Sequence, residues 1–285
     1  MSGDSSLIAV VTGASRGAGR GIAIALGEAG ATVYVTGRTT KSGEAPLPGT
    51  IFETAEAVNK AGGRGIAVYC DHADDSQTKA LFERVEAEQG RLDILVNNVA
   101  FIHDDLTGPA PFWERPLTFA KMLDVGLRSQ YVASFYAAPL LIRHRRGLVV
   151  FTSSFGSVCY MHGPAYGVQK VSADKFAADM AVDFRNHGVA AVSIWMGPLK
   201  TERSAAAAEL SEEYAAFMAN AETPQFTGRI IASLYLDPDY MALSGQTLVG
   251  AELGVRYGIK DEGREPPSYR AMLGEPRQPS SAMVA

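Results

Sequence analysis

A run of apolar residues, Leu7-Ile8-Ala9-Val10-Val11, passes without a spacer into Thr12-Gly13-Ala14-Ser15-Arg16-Gly17-Ala18-Gly19, and then into Ile22–Glu28 at helical spacing. No other stretch constrains the fold as strongly. A short strand that is apolar throughout is buried on both faces. Glycines between such a strand and a helix allow a tight reversal and let the backbone approach a pyrophosphate on the helix N-terminus. The spacing is T-G-x-x-x-G-x-G, not G-x-G-x-x-G, so the local pattern alone leaves two readings open. One is a flexible turn in a βα unit. The other, favoured by context, is a dinucleotide site built on Gly13, Ser15, Gly17 and Gly19.

The rest of the chain repeats the alternation. Strands are expected at Ala31–Thr36, Gly65–Cys70, Leu92–Val96, Gly147–Thr152, Val189–Ile194 and Gln246–Val249. Helices are expected at Ile51–Ala61, Asp75–Gln89, Leu117–Leu141, Ala165–Asn186, Thr201–Asn220 and Ile230–Leu236. With no repeat, linker or charge block, this predicts one α/β domain, a doubly wound parallel sheet with helices on both faces, over residues 7–261. Residues 1–6 read as a flexible lead-in and 262–285 as a tail whose final segment is disordered. Segments 101–116 and 201–228 are expected to form a substrate-side loop and lid; the first is a long Pro- and aromatic-bearing loop of the kind that is commonly functional in compact domains.

A net charge of −5 over 285 residues leaves no electrostatic footprint for nucleic acid. No apolar run reaches the roughly 18 residues of a membrane span. Cys70 and Cys159 show no metal-ligand spacing, so no metal is expected. Together with the polar N-terminus, these features predict a soluble cytoplasmic protein.

Candidate site residues collect at strand ends. Arg38 follows the second strand where an acidic residue would hold a ribose 2′-hydroxyl; an arginine suits a 2′-phosphate, and Arg16 adds a second guanidinium. This favours NADP(H) over NAD(H); two solvated surface arginines are the alternative. Asp71 and His72 close the third strand near the expected adenine end. Asp71 also reads as the N-cap of the next helix, and His72, like His144 and His187, as a surface or helix-end histidine. Asn97 and Asn98 end a central strand, where α/β sheets bind ligands. Ser153 and Ser154 end the fifth. Tyr166 and Lys170 stand four apart, on one face of a helix. An ammonium beside a phenol favours the phenolate, and a phenol so tuned exchanges a proton with a substrate oxygen.

Thr12-Gly13-x-x-x-Gly17-x-Gly19, Asn97-Asn98-Val99-Ala100, a serine ending the fifth strand and Tyr166-x-x-x-Lys170, in this order, resemble the short-chain dehydrogenase/reductase family over roughly Leu7 to Val249. The resemblance implies a Rossmann-type fold, a nicotinamide cofactor and reversible hydride transfer between carbonyl and alcohol. It implies Tyr166 as general acid/base, Lys170 as its tuner and holder of the nicotinamide ribose, and a serine on the substrate oxygen. The strand end favours Ser154; the family's usual separation from the tyrosine favours Ser153. Gly197, Leu199 and Thr201 match positions that contact the nicotinamide amide and phosphate. The resemblance also implies a homodimer or homotetramer paired through the helices at 117–141 and 165–186, where Ala173, Ala177, Ala178 and Ala181 would allow close approach. Gly126, in Asp124-Val125-Gly126-Leu127, stands where the family often carries an asparagine that holds a relay water. Its place falls to another group or to rearranged water. That variant and the segment around Leu253–Lys260 resemble a carbonyl- and steroid-reductase branch.

Aromatic and thioether residues expected near the nicotinamide (Phe155, Tyr160, Met161, Trp195 and the 101–116 loop) favour an apolar carbonyl substrate, with His103 and His162 as polar contacts; Phe155 and Trp195 read equally as core or pocket. The expectation is an NADP(H)-dependent oxidoreductase. The alternative is a catalytically weak NADP(H)-binding regulatory or scaffold protein.

Overall fold

The computed structural model describes residues 7–280 and 282–284; Met1–Ser6, read as flexible, and Ser281 and Ala285 in the tail lie outside the described residues. In chain order the elements are β1 (Ile8–Val11), α1 (Gly17–Glu28), β2 (Thr32–Gly37), α2 (Ile51–Lys60), β3 (Arg64–Tyr69), α3 (Asp75–Gln89) and β4 (Ile94–Asn97). Then come α4 (Lys121–Leu123), α5 (Ser129–Ile142), β5 (Gly147–Ser153), α6 (Pro164–Phe184), β6 (Val189–Trp195), α7 (Glu202–Ala208), α8 (Glu212–Met218), α9 (Pro224–Leu236), β7 (Thr247–Val249), α10 (Gly250–Tyr257) and α11 (Arg270–Leu273).

The seven strands form one parallel sheet in the order β3-β2-β1-β4-β5-β6-β7. Val10 of β1 sits between Tyr34 of β2 and Leu95 of β4. The direction of winding reverses there, which opens a crevice at the carboxyl ends of β1 and β4. The central strands are apolar throughout because helices cover both faces. Ile22, Leu26, Ile51, Val58, Phe226 and Ile230 fill one side from α1, α2 and α9. Leu81, Phe82, Leu140, Ala173, Ala177 and Phe184 fill the other from α3, α5 and α6. Each such large aliphatic or aromatic side chain, fully buried, contributes about 1.5–3 kcal/mol.

Four expectations change. The helix expected over Leu117–Leu141 is broken into a 3-10 turn at Leu117–Ala120, the single turn α4, a π-helical turn at Asp124–Arg128 and α5. Thr201–Asn220 is two helices, because the Ser211 hydroxyl accepts the Tyr214 N–H at 3.2 Å and starts a new one. Ala173 and Ala177 are wholly buried against the sheet, so they offer no surface to a second subunit; the outward residues of α5 and α6 include Tyr131, Phe135, Val168 and Val182. Finally, much of the tail is anchored. Glu252 accepts from the Ser268 hydroxyl at 2.6 Å and from the Arg270 guanidinium at 2.7 and 2.6 Å. Tyr269 and Leu273 pack against Phe155 and Trp195.

Candidate active site

The glycine turn is closed by geometry that only glycine allows. Gly17, the first residue of α1, has φ +57°, and a Cβ on Gly19 would lie 2.4 Å from the Gly13 carbonyl oxygen. The turn is braced from β4: the Asn98 side-chain amide donates to the Thr12 and Gly13 carbonyls at 3.0 and 3.1 Å, and the Thr12 hydroxyl accepts the Asn98 N–H at 2.9 Å. Asn97, expected in the site, is instead buried beneath it, donating to the Ser134 hydroxyl at 2.9 Å. At the N-terminus of α1 the Gly17 N–H donates to the Glu202 carboxylate at 2.8 Å, and Arg20 lies 3.8 Å from the same group. A carboxylate held there shows that the turn and helix end accept an anion, as a helix N-terminus does.

At the outer end of the crevice Arg38 is exposed, 3.7 Å from Asp71. Arg16 lines the same cleft and is also tied to its wall. Its guanidinium donates to the Pro48 and Gly49 carbonyls, both at 2.9 Å, and to the Thr39 hydroxyl at 3.2 Å, tying down the loop before α2. The α3 cap is Asp74, whose carboxylate accepts the Ser76 and Gln77 N–H groups, and not Asp71. His72 is buried rather than a surface residue, with its Nε2 2.8 Å from the Thr36 hydroxyl.

Burial pushes the His72 imidazole down to about 4. Unfolded, it takes up its proton near 6.5, so the stability it contributes is complete above that pH and lost as pH falls toward 4, roughly 3 kcal/mol in all. Thermal unfolding followed from pH 7 to pH 4 should show the wild type losing markedly more stability than His72→Gln.

The chemistry-bearing groups converge where β5 meets α6. Gly163, with φ +92°, turns the chain, and Pro164 occupies the first position of α6, where its missing N–H costs nothing. Two residues on, Tyr166 points its phenol at Ser154, with the two oxygens 3.0 Å apart. The Lys170 ammonium lies 5.6 Å from the centre of the Tyr166 ring. Ser153 does different work: fully buried, its hydroxyl donates to the Lys170 carbonyl at 3.0 Å and fastens β5 to α6. The hydroxyl facing the phenol therefore belongs to Ser154. The His162 ring meets the edge of Tyr166 at 5.0 Å, and burial followed by the nearby Arg115 charge holds its imidazole below the ordinary value.

Sequence reasoning missed four organising side chains. Arg115 gathers the 101–116 loop, donating to the carbonyls of Ala110, Asp105, Leu106 and Gly108. Asp174, one turn beyond Lys170, accepts from the Ser157 hydroxyl, from Ser193 at 2.6 Å and from the Trp195 indole at 3.1 Å. Glu222 lies buried behind Gly197, accepting its N–H at 3.3 Å, and burial pushes the carboxyl up to about 8. Glu202 is the fourth. Asp174 had a signal, its spacing from Lys170; Arg115, Glu202 and Glu222 depend on neighbours that no local pattern encodes. Leu199 and Thr201 line the cleft, and the Thr201 hydroxyl caps α7 by accepting the Ser204 N–H at 3.2 Å. Phe155 and Trp195 prove to be core, 4.9 Å apart ring to ring, rather than substrate contacts.

The glycine turn, Arg38, Ser154, Tyr166 and Lys170 border one cleft of about 600 Å³ that runs from Gly13 to Tyr214. Beside it lies an apolar recess bounded by Phe112, Trp113, Tyr160 and Met161. Among the described residues no cluster of His, Cys, Asp or Glu is arranged to hold a metal, and no helix is long and apolar enough to cross a membrane.

Residues 7–212 match the family model described as short chain dehydrogenase. The chain is 42% identical over 275 residues to the Mus musculus protein "Dehydrogenase/reductase SDR family member 1", covering 92% of this chain and 85% of that one. It is 40% identical over 278 residues to its Homo sapiens counterpart, covering 93% and 86%. A crystal structure from Xanthomonas campestris, of a protein assigned as a dehydrogenase, superposes with a TM-score of 0.76 at 25% identity over 90% of this chain and 91% of that one.

Proposed function

The chain belongs to the short chain dehydrogenase family, and from that premise we propose that it is an NADP(H)-dependent oxidoreductase interconverting an apolar carbonyl compound and its alcohol, with Tyr166 as general acid/base. The observation that carries this reading is the 3.0 Å approach of the Ser154 and Tyr166 hydroxyls with the Lys170 ammonium over the phenol ring. The bound nicotinamide supplies the hydride. In the reductive direction Tyr166 gives its proton to the carbonyl oxygen while Ser154 donates a hydrogen bond to the same atom. Lys170 balances the phenolate that remains and holds the ribose.

The donor set fits the cofactor: Gly13, Ser15, Gly17 and Gly19 line the cleft, and the Gly17 N–H at the α1 N-terminus already donates to a carboxylate. Arg38, exposed and facing Asp71 near His72 at the adenosine end, is the group we assign to a 2′-phosphate; Arg16, bound into the 39–49 stretch, steadies the wall. Gly197, Leu199 and Thr201 line the nicotinamide end, while Asn98 serves by bracing the turn. An apolar substrate is favoured by Phe101, Ile102 and Tyr214 in the cleft and by the recess beside it. The exposed apolar residues Tyr131 and Phe135 of α5 and Val168 and Val182 of α6 support assembly as a homodimer or homotetramer. Gly126, standing where the family often has an asparagine, is the feature that favours the alternative, a weak cofactor binder.

The test is NADPH absorbance on a panel of apolar ketones, quinones and aldehydes, with NADH in parallel. The expected result is oxidation of NADPH and little of NADH. Silence across the panel from a protein that binds NADPH tightly would favour the non-catalytic reading. A further expectation concerns Glu202, whose carboxylate occupies the anion position on α1. Glu202→Gln should tighten NADPH about fivefold in a fluorescence titration, equivalent to about 1 kcal/mol.

A further inference from the structure

Gly126 sits in the π-helical turn between α4 and α5, packed against α6. A Cβ built there would fall 1.9 Å from Oε1 of Gln169 and 2.4 Å from its Cδ. The carboxamide of Gln169 therefore occupies the volume that any side chain at 126 would claim. Gln169 is 1% exposed, and its Oε1 has no hydrogen-bond partner among the described residues. A buried amide oxygen of this kind calls for a donor.

The complementary group is the next residue. Lys170 lines the same cleft, brings three donor protons, and among the described residues its ammonium is placed by the Tyr166 ring alone. Consecutive helical side chains diverge by about 100°, so a link between the two heads along this cleft requires a bridging water.

We propose that Gln169 is a positioning residue: its carboxamide, seated in the gap at Gly126, fixes the Lys170 ammonium against Tyr166 through a bridging water. This rests on the functional reading above and adds to it a pair, Gly126 with Gln169, that acts as a unit. A π turn in an otherwise α-helical stretch beside a working site fits that role.

The experiment uses the full-length protein, NADPH and a carbonyl compound it reduces. Gln169→Met keeps the side chain's length and volume but removes the acceptor. It should lower kcat about 10- to 100-fold and displace the pH profile of kcat, with KM for NADPH within about twofold of wild type. Gly126→Asn alone should unfold or inactivate the protein because of the overlap. In Gln169→Ala/Gly126→Asn the amide returns from the other helix, and kcat should recover to well above that of Gln169→Ala. Wild-type kcat and pH profile in Gln169→Met would overturn the positioning role while leaving the oxidoreductase reading intact, and so would a double variant no better than Gln169→Ala. A wild-type protein that reduces nothing overturns both.

Discussion

Tyr166→Phe is expected to lower kcat by about 10²–10⁴, the range lost when a positioned general acid/base is removed, while NADPH binding stays within about twofold. The two effects separate because the substituted atom is the phenol oxygen, 3.0 Å from Ser154, whereas the ring still packs on His162 and the Gly156 turn. Steady-state rates and a cofactor titration on the same preparation check this. A variant that turns over like wild type would remove Tyr166 from the mechanism and with it the reading of the cleft.

The second large effect is structural. In Asp174→Ala the Ser157 hydroxyl, the Ser193 hydroxyl and the Trp195 indole N–H lose their common acceptor. Each buried donor left unsatisfied costs about 1–3 kcal/mol, so a loss of roughly 3 kcal/mol or more is expected, read as a fall in Tm on the order of 10 °C. Asp174→Asn, which keeps an acceptor oxygen, should lose less. Turnover should fall with stability, since Asp174 ties both the turn after Ser154 and the end of β6 to the helix that carries Tyr166 and Lys170.

The parts of this protein legible in its sequence are those governed by local periodicity. Alternating strands and helices set the sheet, and the four-residue interval of Tyr166 and Lys170 set their common face. The choice between Ser153 and Ser154 was not legible, because loop length and strand end pointed different ways. It turns on β5 running through Ser153, which leaves Ser154 as the first residue free of the ladder. The interrupted stretch before α5 was misread as one helix because its helical pattern conceals a glycine whose space belongs to Gln169. Ala173 and Ala177 were small for the sake of the chain's own sheet. Phe155 and Trp195 read equally as core or pocket until Tyr269 and Leu273 were seen to cover them. The tie of Arg16 to Pro48 and Gly49 was not legible because it joins segments more than 30 residues apart.

The covering of Phe155 and Trp195 by Tyr269 and Leu273 also orders events in time. During synthesis those two residues leave the ribosome roughly 5–20 s after Tyr166 at ordinary elongation rates. By then all seven strands have been made. The nascent chain thus passes through an interval in which its whole sheet has been made while the aromatic pair behind the turn after Ser154 is still uncovered.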